Sequence, residues 1–309
     1  MWKTVLAGLA LMSLTFGPAE TRPRLCGCAS AEAGPVHPAF FTVHGPKGTA
    51  YLFGSVHVLP PGIEWRRPAL LAAMERADTF VFEIPLDHVD KDRAEAQRVQ
   101  KEIMDLHGLL PPGQSLRGQL ASERVPKYDA LIEALNISPG YIDRLQPWLA
   151  EMVVETAEFY RSDVRALNGV DINVFKFATD MGKPTRGLET LDDQLAVIGP
   201  VEQKLGAAEL DRLIDDSAGP EKEADTMLAA WKRGDVDAVT RQVNSELAQN
   251  PELKQALLDI RNKRWVEEMT QMLNTPHVYF VTVGAAHLGG QSGLPTLLRQ
   301  AGYKVDGPN

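Results

Sequence analysis

Two short strings in this chain end in a histidine, and each follows an apolar run. The first is Tyr51-Leu52-Phe53-Gly54-Ser55-Val56-His57. The second is Val278-Tyr279-Phe280-Val281-Thr282-Val283-Gly284-Ala285-Ala286-His287. Runs this rich in β-branched and aromatic residues read as buried strands. Each closes on a glycine and small residues in a Gly-x-x-His pattern, so each strand delivers an imidazole past its end, into a turn expected to lie outside the core. About 230 residues separate the copies, so only a fold that joins the two ends of the chain brings both rings to one site. Two carboxylates stand in comparable places, Glu83 near the end of the apolar run 79–84 and Glu189 after the short run 184–188; a third, Asp171, lies instead at the start of a helix opened by Gly169.

In open α/β sheets, ligands bind beyond the carboxyl ends of the strands. Two imidazoles with carboxylates suit zinc, manganese, cobalt or iron. Water on such an ion ionises near neutral pH and attacks a carbonyl, and a spare carboxylate serves as general base. Arg261, with Asn262 beside it, lies on or next to the apolar stripe Leu257, Trp265, Met272 of a long helix. A guanidinium there can pair with a carboxylate or hold developing oxyanion charge. Plainer readings compete. Glu83 can be one half of a structural salt bridge, Glu189 can accept helix N-terminal amides, and Asp171 can be an ordinary first-turn residue. His37, His44, His88, His107 and His277 fall on expected loops or exposed ends and read as solvated.

Other chemistries lack their signatures. Gly-x-Ser-x-Gly and a His-Glu-x-x-His helix are absent, which argues against a hydrolase elbow and a zincin. Neither phosphate-binding glycine fingerprint occurs. Net charge is −9 with no basic block, which argues against nucleic acid as a partner.

The elements that must position these residues follow from pattern. Residues 40–44, the turn Gly45-Pro46-Lys47-Gly48 and residues 49–54 read as a β-hairpin. Pro68 opens a helix through Arg76, and residues 79–84 are a strand. From Asp90 to about Ser217 the chain reads as mainly helical, with helices from Pro147 and from Gly169 to Gly182, interrupted by the 184–188 strand. Helical stretches follow over 203–233, 236–248 and 251–273, then the 278–283 strand, a helix over 294–301 and a last strand over 303–305. The expected fold is α/β, with α+β the alternative. Residues 40–84, 184–190 and 278–306 form one mixed sheet built from both ends of the chain, and a large helical middle covers the site. At 309 residues and 44% hydrophobic, the chain can bury a core without disulfides.

The N-terminus reads as a targeting signal. Lys3 supplies the positive region and residues 5–16 the apolar one, too short to span a membrane. Cleavage is expected after Ala31, slightly ahead of Ala19, which leaves residues 32–309 as a single domain exported to the periplasm or secreted. Cys26 and Cys28 fall in this leader. Lipid attachment at Cys28 is the minor alternative and implies peripheral membrane association.

Taken in order, several short pieces resemble the TraB/GumN family, which includes the Tiki-type proteases. They are Leu52-Phe53-Gly54-Ser55-Val56-His57-Val58, Phe82-Glu83-Ile84, Pro147-Trp148, Gly169-Val170-Asp171, Gly182-Lys183-Pro184, Gly187-Leu188-Glu189, Arg261-Asn262 and Val283-Gly284-Ala285-Ala286-His287-Leu288. Ser55 departs from the threonine of many members. The resemblance covers about residues 40–306 and implies a metal-dependent hydrolase acting on a peptide or protein substrate. His57 and His287 match the family's histidines, Glu83 and Glu189 its acidic positions, and Arg261 and Asn262 its Arg-Asn pair. On that reading His57, His287 and Glu83 or Glu189 hold manganese, cobalt or zinc, and the remaining carboxylate acts as base or orients a ligand. Related erythromycin esterase-like and haem-binding ChaN-like proteins keep two rivals open: a metal-independent esterase-like hydrolase, and a non-catalytic protein that binds a peptide or haem.

Overall fold

The computed structural model describes residues 36–57, 59–60, 62–86, 108–161, 169–215 and 220–309. The expected leader with its two cysteines lies outside them, as do His88, His107 and the beginning of the expected helical middle.

Six strands are present among the described residues: β1 Phe40–His44, β2 Thr49–Ser55, β3 Thr79–Phe82, β4 Thr185–Gly187, β5 Val278–Gly284 and β6 Lys304–Asp306. They form one mixed sheet in the order β4-β3-β5-β2-β1-β6. β4, β3, β5 and β2 are mutually parallel, and β1 is antiparallel to both its neighbours. The carboxyl ends of four strands therefore meet at one edge. With helices on both faces this is an α/β fold, built from both ends of the chain as the strand pattern predicts.

Register places the two histidine motifs side by side. In the β2–β5 ladder Gly54 lies opposite Val283 and Ser55 opposite Gly284. A Cβ on Gly54 would come within 2.9 Å of Leu288 Cδ1 and 3.2 Å of Ala285 Cα. Glycine is needed there because the second motif's turn packs directly against the first motif's strand.

The alternation along each strand separates two cores. Phe40, Phe53, Phe80, Phe82 and Phe280 fill one face with Trp65, Phe175 and Trp231. Phe41, Val43, Leu52, Val81, Val281 and Val283 fill the other, covered by Trp265, Met269 and Met272 and by Leu294 and Leu298. Burying each such side chain stabilises the fold by roughly 1.5–3 kcal/mol before chain entropy is counted. A third cluster, from Leu116 to Ala157 with Ile214, closes the helical middle.

Some boundaries differ from the sequence reading. β3 ends at Phe82, so Glu83 sits one residue beyond it. The helix expected from Gln203 begins at Leu191 and runs to Asp215, and a separate helix spans Pro220–Lys232. The earlier start has a local cause. Thr190 Oγ1 accepts from the Asp193 amide at 3.1 Å, and Asp193 Oδ2 accepts from the Thr190 amide at 3.0 Å, a reciprocal capping box. The 251–273 helix is interrupted by a π turn over Gln255–Asp259, just before the segment Ile260–Leu273.

Candidate active site at the strand ends

His57 lies two residues past β2. Its Nδ1 is 2.7 Å from Asp171 Oδ2, and Ser55 Oγ donates to Asp171 Oδ1 at 2.6 Å. Asp171 is in the first turn of the helix Val170–Asp180, where the positive end of the helix favours a carboxylate. The Val170 amide donates to the Val56 carbonyl at 2.9 Å and joins that turn to the first motif. Asp171 is thus both a first-turn residue and the partner of His57. Because the carboxylate only accepts, the imidazole proton sits on Nδ1, and Nε2 is buried without a partner.

His287 ends a 3₁₀ turn, Ala285–His287, directly after β5. Its Nδ1 is 2.6 Å from Asn262 Oδ1. The Asn262 amide nitrogen donates to the carbonyls of Ser292 and His287, at 2.7 and 3.3 Å. Those bonds fix which way the amide points, so Oδ1 must accept and Nδ1 of His287 must carry the proton. The ring lies on Trp265, centroids 4.5 Å apart. Both imidazoles therefore have Nδ1–H held by an acceptor, the arrangement that leaves Nε2 as the electron-pair donor; that atom is unpartnered in His57 and faces Arg261 Nη1 in His287.

Arg261, beside His287, is fully buried. Its Nε donates to Glu189 Oε1 at 2.7 Å, Nη2 to Glu83 Oε2 at 2.6 Å, and Nη1 to the Leu257 carbonyl, inside the π turn, at 3.2 Å. Nη1 also reaches His287 Nε2 at 3.5 Å, and the guanidinium carbon lies 4.6 Å from the Trp265 ring centroid. Of the two roles open to Arg261, the structure gives it the carboxylates. A buried cation is tolerated because two anions surround it. Glu83 Oε1 accepts from the Gly284 amide at 2.7 Å and lies 3.9 Å from His287 Nε2. Glu189 Oε2 is buried without a partner.

The environments drive the titrating groups apart. Burial lowers His57, but the charge and hydrogen bond of Asp171, helped by Glu83, outweigh it, and its pKa is raised above 6.5. Burial also lowers His287. Glu83 opposes this while Arg261 and His57 add to it, and with an amide rather than a carboxylate behind the ring the pKa falls to about 3. Burial raises Glu83, but it is held down to about 2, chiefly by Arg261. With His287 neutral at pH 7, that work falls to Arg261, then to His57 and the Gly284 amide. Burial raises Glu189 despite its bond to Arg261, and Glu83 adds to the rise. Groups pushed apart in this way can act as acid and base at one pH.

The six expected site residues fall in two neighbouring groups: His57 is bound to Asp171, while Glu83, Glu189, Asn262 and His287 are joined around Arg261, and the groups feel one another through the charges of His57, Glu83 and His287. The expectation that the histidines stand in turns away from the core is corrected: their exposures are 2% and 0%. They are buried because the two turns pack on each other and under the Arg261 helix. Sequence reasoning missed Ser55 and Trp265 as partners, and it missed the π turn. The four-residue spacing of Leu257, Arg261 and Trp265 reads as unbroken helix and hides the extra residue.

The donor chemistry suits a transition metal: two imidazole Nε2 atoms and a carboxylate. The buried, unpartnered Nε2 of His57 and Oε2 of Glu189 are consistent with that. Among the described residues, no three His, Cys, Asp or Glu side chains form a ready ligating group. Both Glu83 oxygens already accept hydrogen bonds, so its ligation would be shared with Arg261 or Gly284.

The TraB/PrgY/gumN family profile matches residues 39–307. Two similar relatives bear the name uncharacterized protein YbaP. The one from Shigella flexneri is 24% identical over 254 residues, 81% of this chain and 88% of its own length. The one from Escherichia coli strain K12 is 24% identical over 253 residues, 81% of this chain and 87% of its own length. No solved structure matches the chain.

Proposed function

Because this chain belongs to the TraB/PrgY/gumN family, we propose that it is an exported metal-dependent hydrolase whose substrates are peptides or proteins. One observation carries the reading. Two buried imidazoles, each with Nδ1–H held by an acceptor, share one site with carboxylates at the carboxyl edge of parallel strands. His57 and His287, through Nε2, and Glu83 would hold manganese, cobalt or zinc. When bound, the ion supplies Lewis acidity and a water that ionises near neutral pH.

The chain's own residues do the rest. Asp171 and Asn262 keep each Nδ1 protonated, so that Nε2 stays a donor of electrons. Arg261 keeps Glu83 ionised and fixed. Glu189, raised by burial against the pull of Arg261 and the Trp265 indole, would take a proton from water and return it to a leaving group. The Asp171–His57 pair also supports a second reading, in which His57 Nε2 itself is the general base and no metal takes part.

The test is hydrolysis of a fluorogenic peptide library by purified protein, with and without manganese, cobalt or zinc, and with a chelator. Metal-stimulated, chelator-sensitive turnover that disappears in His57→Asn and His287→Asn supports the proposal. Turnover indifferent to chelator moves the assignment to the metal-free reading. No turnover, together with co-purified haem or peptide, overturns both in favour of a binding protein. Export is checked separately by N-terminal sequencing of the native protein, where an intact Met1 counts against it.

A further inference from the structure

Two helices contribute none of their described side chains to the cluster around Arg261, yet each reaches into a histidine motif. The helix Pro220–Lys232 carries Trp231, whose buried indole Nε1–H donates to the carbonyl of Gly54 at 2.9 Å. The helix Val236–Glu246 carries Thr240, whose buried hydroxyl donates to the carbonyl of Ala286 at 3.1 Å. Gly54 opens the first Gly-x-x-His, and Ala286 immediately precedes the second histidine.

Both acceptors lie at the fringe of the regular ladders: Gly54 still pairs with Val283 of β5, and its amide donates to the Ala39 carbonyl at 3.3 Å. The β1–β2 pairing begins at Phe40–Phe53, one residue short of Gly54, and Ala286 lies two residues past the end of β5. A buried carbonyl without a partner is costly, and these two receive side-chain donors.

The two donors belong to one helical hairpin. Residues 233–235 join the helices in a tight turn. Gly234 takes φ +71°, and a Cβ on it would lie 2.6 Å from the His37 carbonyl. The second helix is pressed further against the residues after His287. A Cβ on Gly289 would lie 2.4 Å from both Thr240 Oγ1 and the Val236 carbonyl, and the Gly290 amide donates to Asp237 Oδ1 at 2.9 Å.

We infer that this helical hairpin is a brace that sets the separation of His57 from His287, with Trp231 and Thr240 as positioning residues. The anchored atoms are three residues from His57 and one residue from His287, and both are held from the same body. Moving either anchor changes the distance between the two Nε2 atoms without touching either ring. Small errors of placement at a reacting centre cost rate out of proportion to the stability lost.

The inference rests on the hydrolase reading for its activity readout, so a second readout is independent of activity. Thr240→Val keeps shape and removes the hydroxyl, Thr240→Ser restores it, and Trp231→Phe removes the indole donor. Each is measured for kcat and KM on the peptide substrate well below its melting temperature. Ring signals of selectively ¹⁵N-histidine-labelled protein are recorded in parallel. Thr240→Val should lower kcat about tenfold, with KM within about twofold, and Thr240→Ser should recover most of it. The His287 ring signals should shift or broaden in Thr240→Val and return in Thr240→Ser.

Active wild type, with Thr240→Val at wild-type kcat and unchanged His287 signals, overturns the brace. So does a kcat loss that Thr240→Ser fails to restore. If wild type has no hydrolase activity, the proposed function falls while the ring signals still decide the brace. The Thr240 pair keeps the test decisive even where Trp231→Phe fails to fold.

Discussion

Asp171→Asn changes one atom and should remove most of the activity. The wild-type carboxylate accepts twice, from Ser55 Oγ at 2.6 Å and toward His57 Nδ1 at 2.7 Å. An asparagine has one acceptor oxygen and one donor nitrogen. If the oxygen stays with the Ser55 hydroxyl, the amide N–H faces His57 Nδ1, which must then give up its proton. The proton moves to Nε2, and the lone pair available to a metal or to water is lost. A buried hydrogen bond to a charged group is worth about 1.5–3 kcal/mol, or about 10- to 150-fold in rate. The equivalent change in a serine protease triad costs about 10⁴ through the wrong tautomer. The expected loss in kcat therefore lies between about 10-fold and 10⁴-fold. Stability should change with a definite sign. His57 is raised in the folded state, so its contribution is full below about 6.5 and is lost as pH rises through the folded pKa. The variant lacks the Asp171 charge that outweighs burial. Its deficit in melting temperature should thus be larger at pH 5.5 than at pH 8. The assays are steady-state peptide hydrolysis and thermal melts by circular dichroism at both pH values. Wild-type kcat in a folded Asp171→Asn protein would refute the tautomer argument.

Arg261→Lys keeps charge but cannot span Glu83 and Glu189 with one fork; stranding a buried carboxylate should cost about 3–5 kcal/mol, read as a lower denaturation midpoint, and an unchanged midpoint counts against the pairing. In metal-free protein, His287 is held to about 3 and Glu83 to about 2. The His287 contribution falls from about pH 6.5 toward 3, at up to ~1.4 kcal/mol per unit, and the Glu83 contribution falls from about 4.5 toward 2. Because Glu189, raised by burial, opposes this in the same window, the comparison is with His287→Asn: wild type should lose more melting temperature between pH 7 and 4 than that variant, and equal losses contradict the His287 assignment. Gly54→Ala should destabilise by about 1–3 kcal/mol, because its methyl would meet the Ala285 backbone at 3.2 Å; a neutral effect in a thermal melt would show that the two turns are not tightly packed.

Much of this arrangement is legible in the sequence because strand chemistry is local. The runs 49–55 and 278–284 announce themselves by β-branched and aromatic content, and a glycine closes each, so the delivery of both histidines to one edge follows from pattern. Partner choice is less legible. Nothing near Asp171 in the chain points to Ser55 or His57, 116 and 114 residues away; only the parallel register and the crossover bring them together. Burial of the histidines was misread for a related reason. A turn looks exposed in one dimension, and only the packing of Ala285 on Gly54 removes it from water. The start of the Leu191–Asp215 helix is a different case, since Thr190 and Asp193 are spaced as a capping box and carry the signal locally.

The sharing of one ligand by His57 and His287 is tested most directly by titrating metal-free protein with cobalt(II) and following its visible absorption, alongside His57→Asn and His287→Asn. Asparagine places an amide nitrogen near the position of Nδ1, so it can keep the bond to Asp171 or Asn262 while deleting Nε2. One cobalt per chain in wild type, lost or weakened at least about tenfold in each folded variant, is the predicted result. Cobalt that binds equally well to all three proteins, or to none, contradicts a metal site shared by the two histidines.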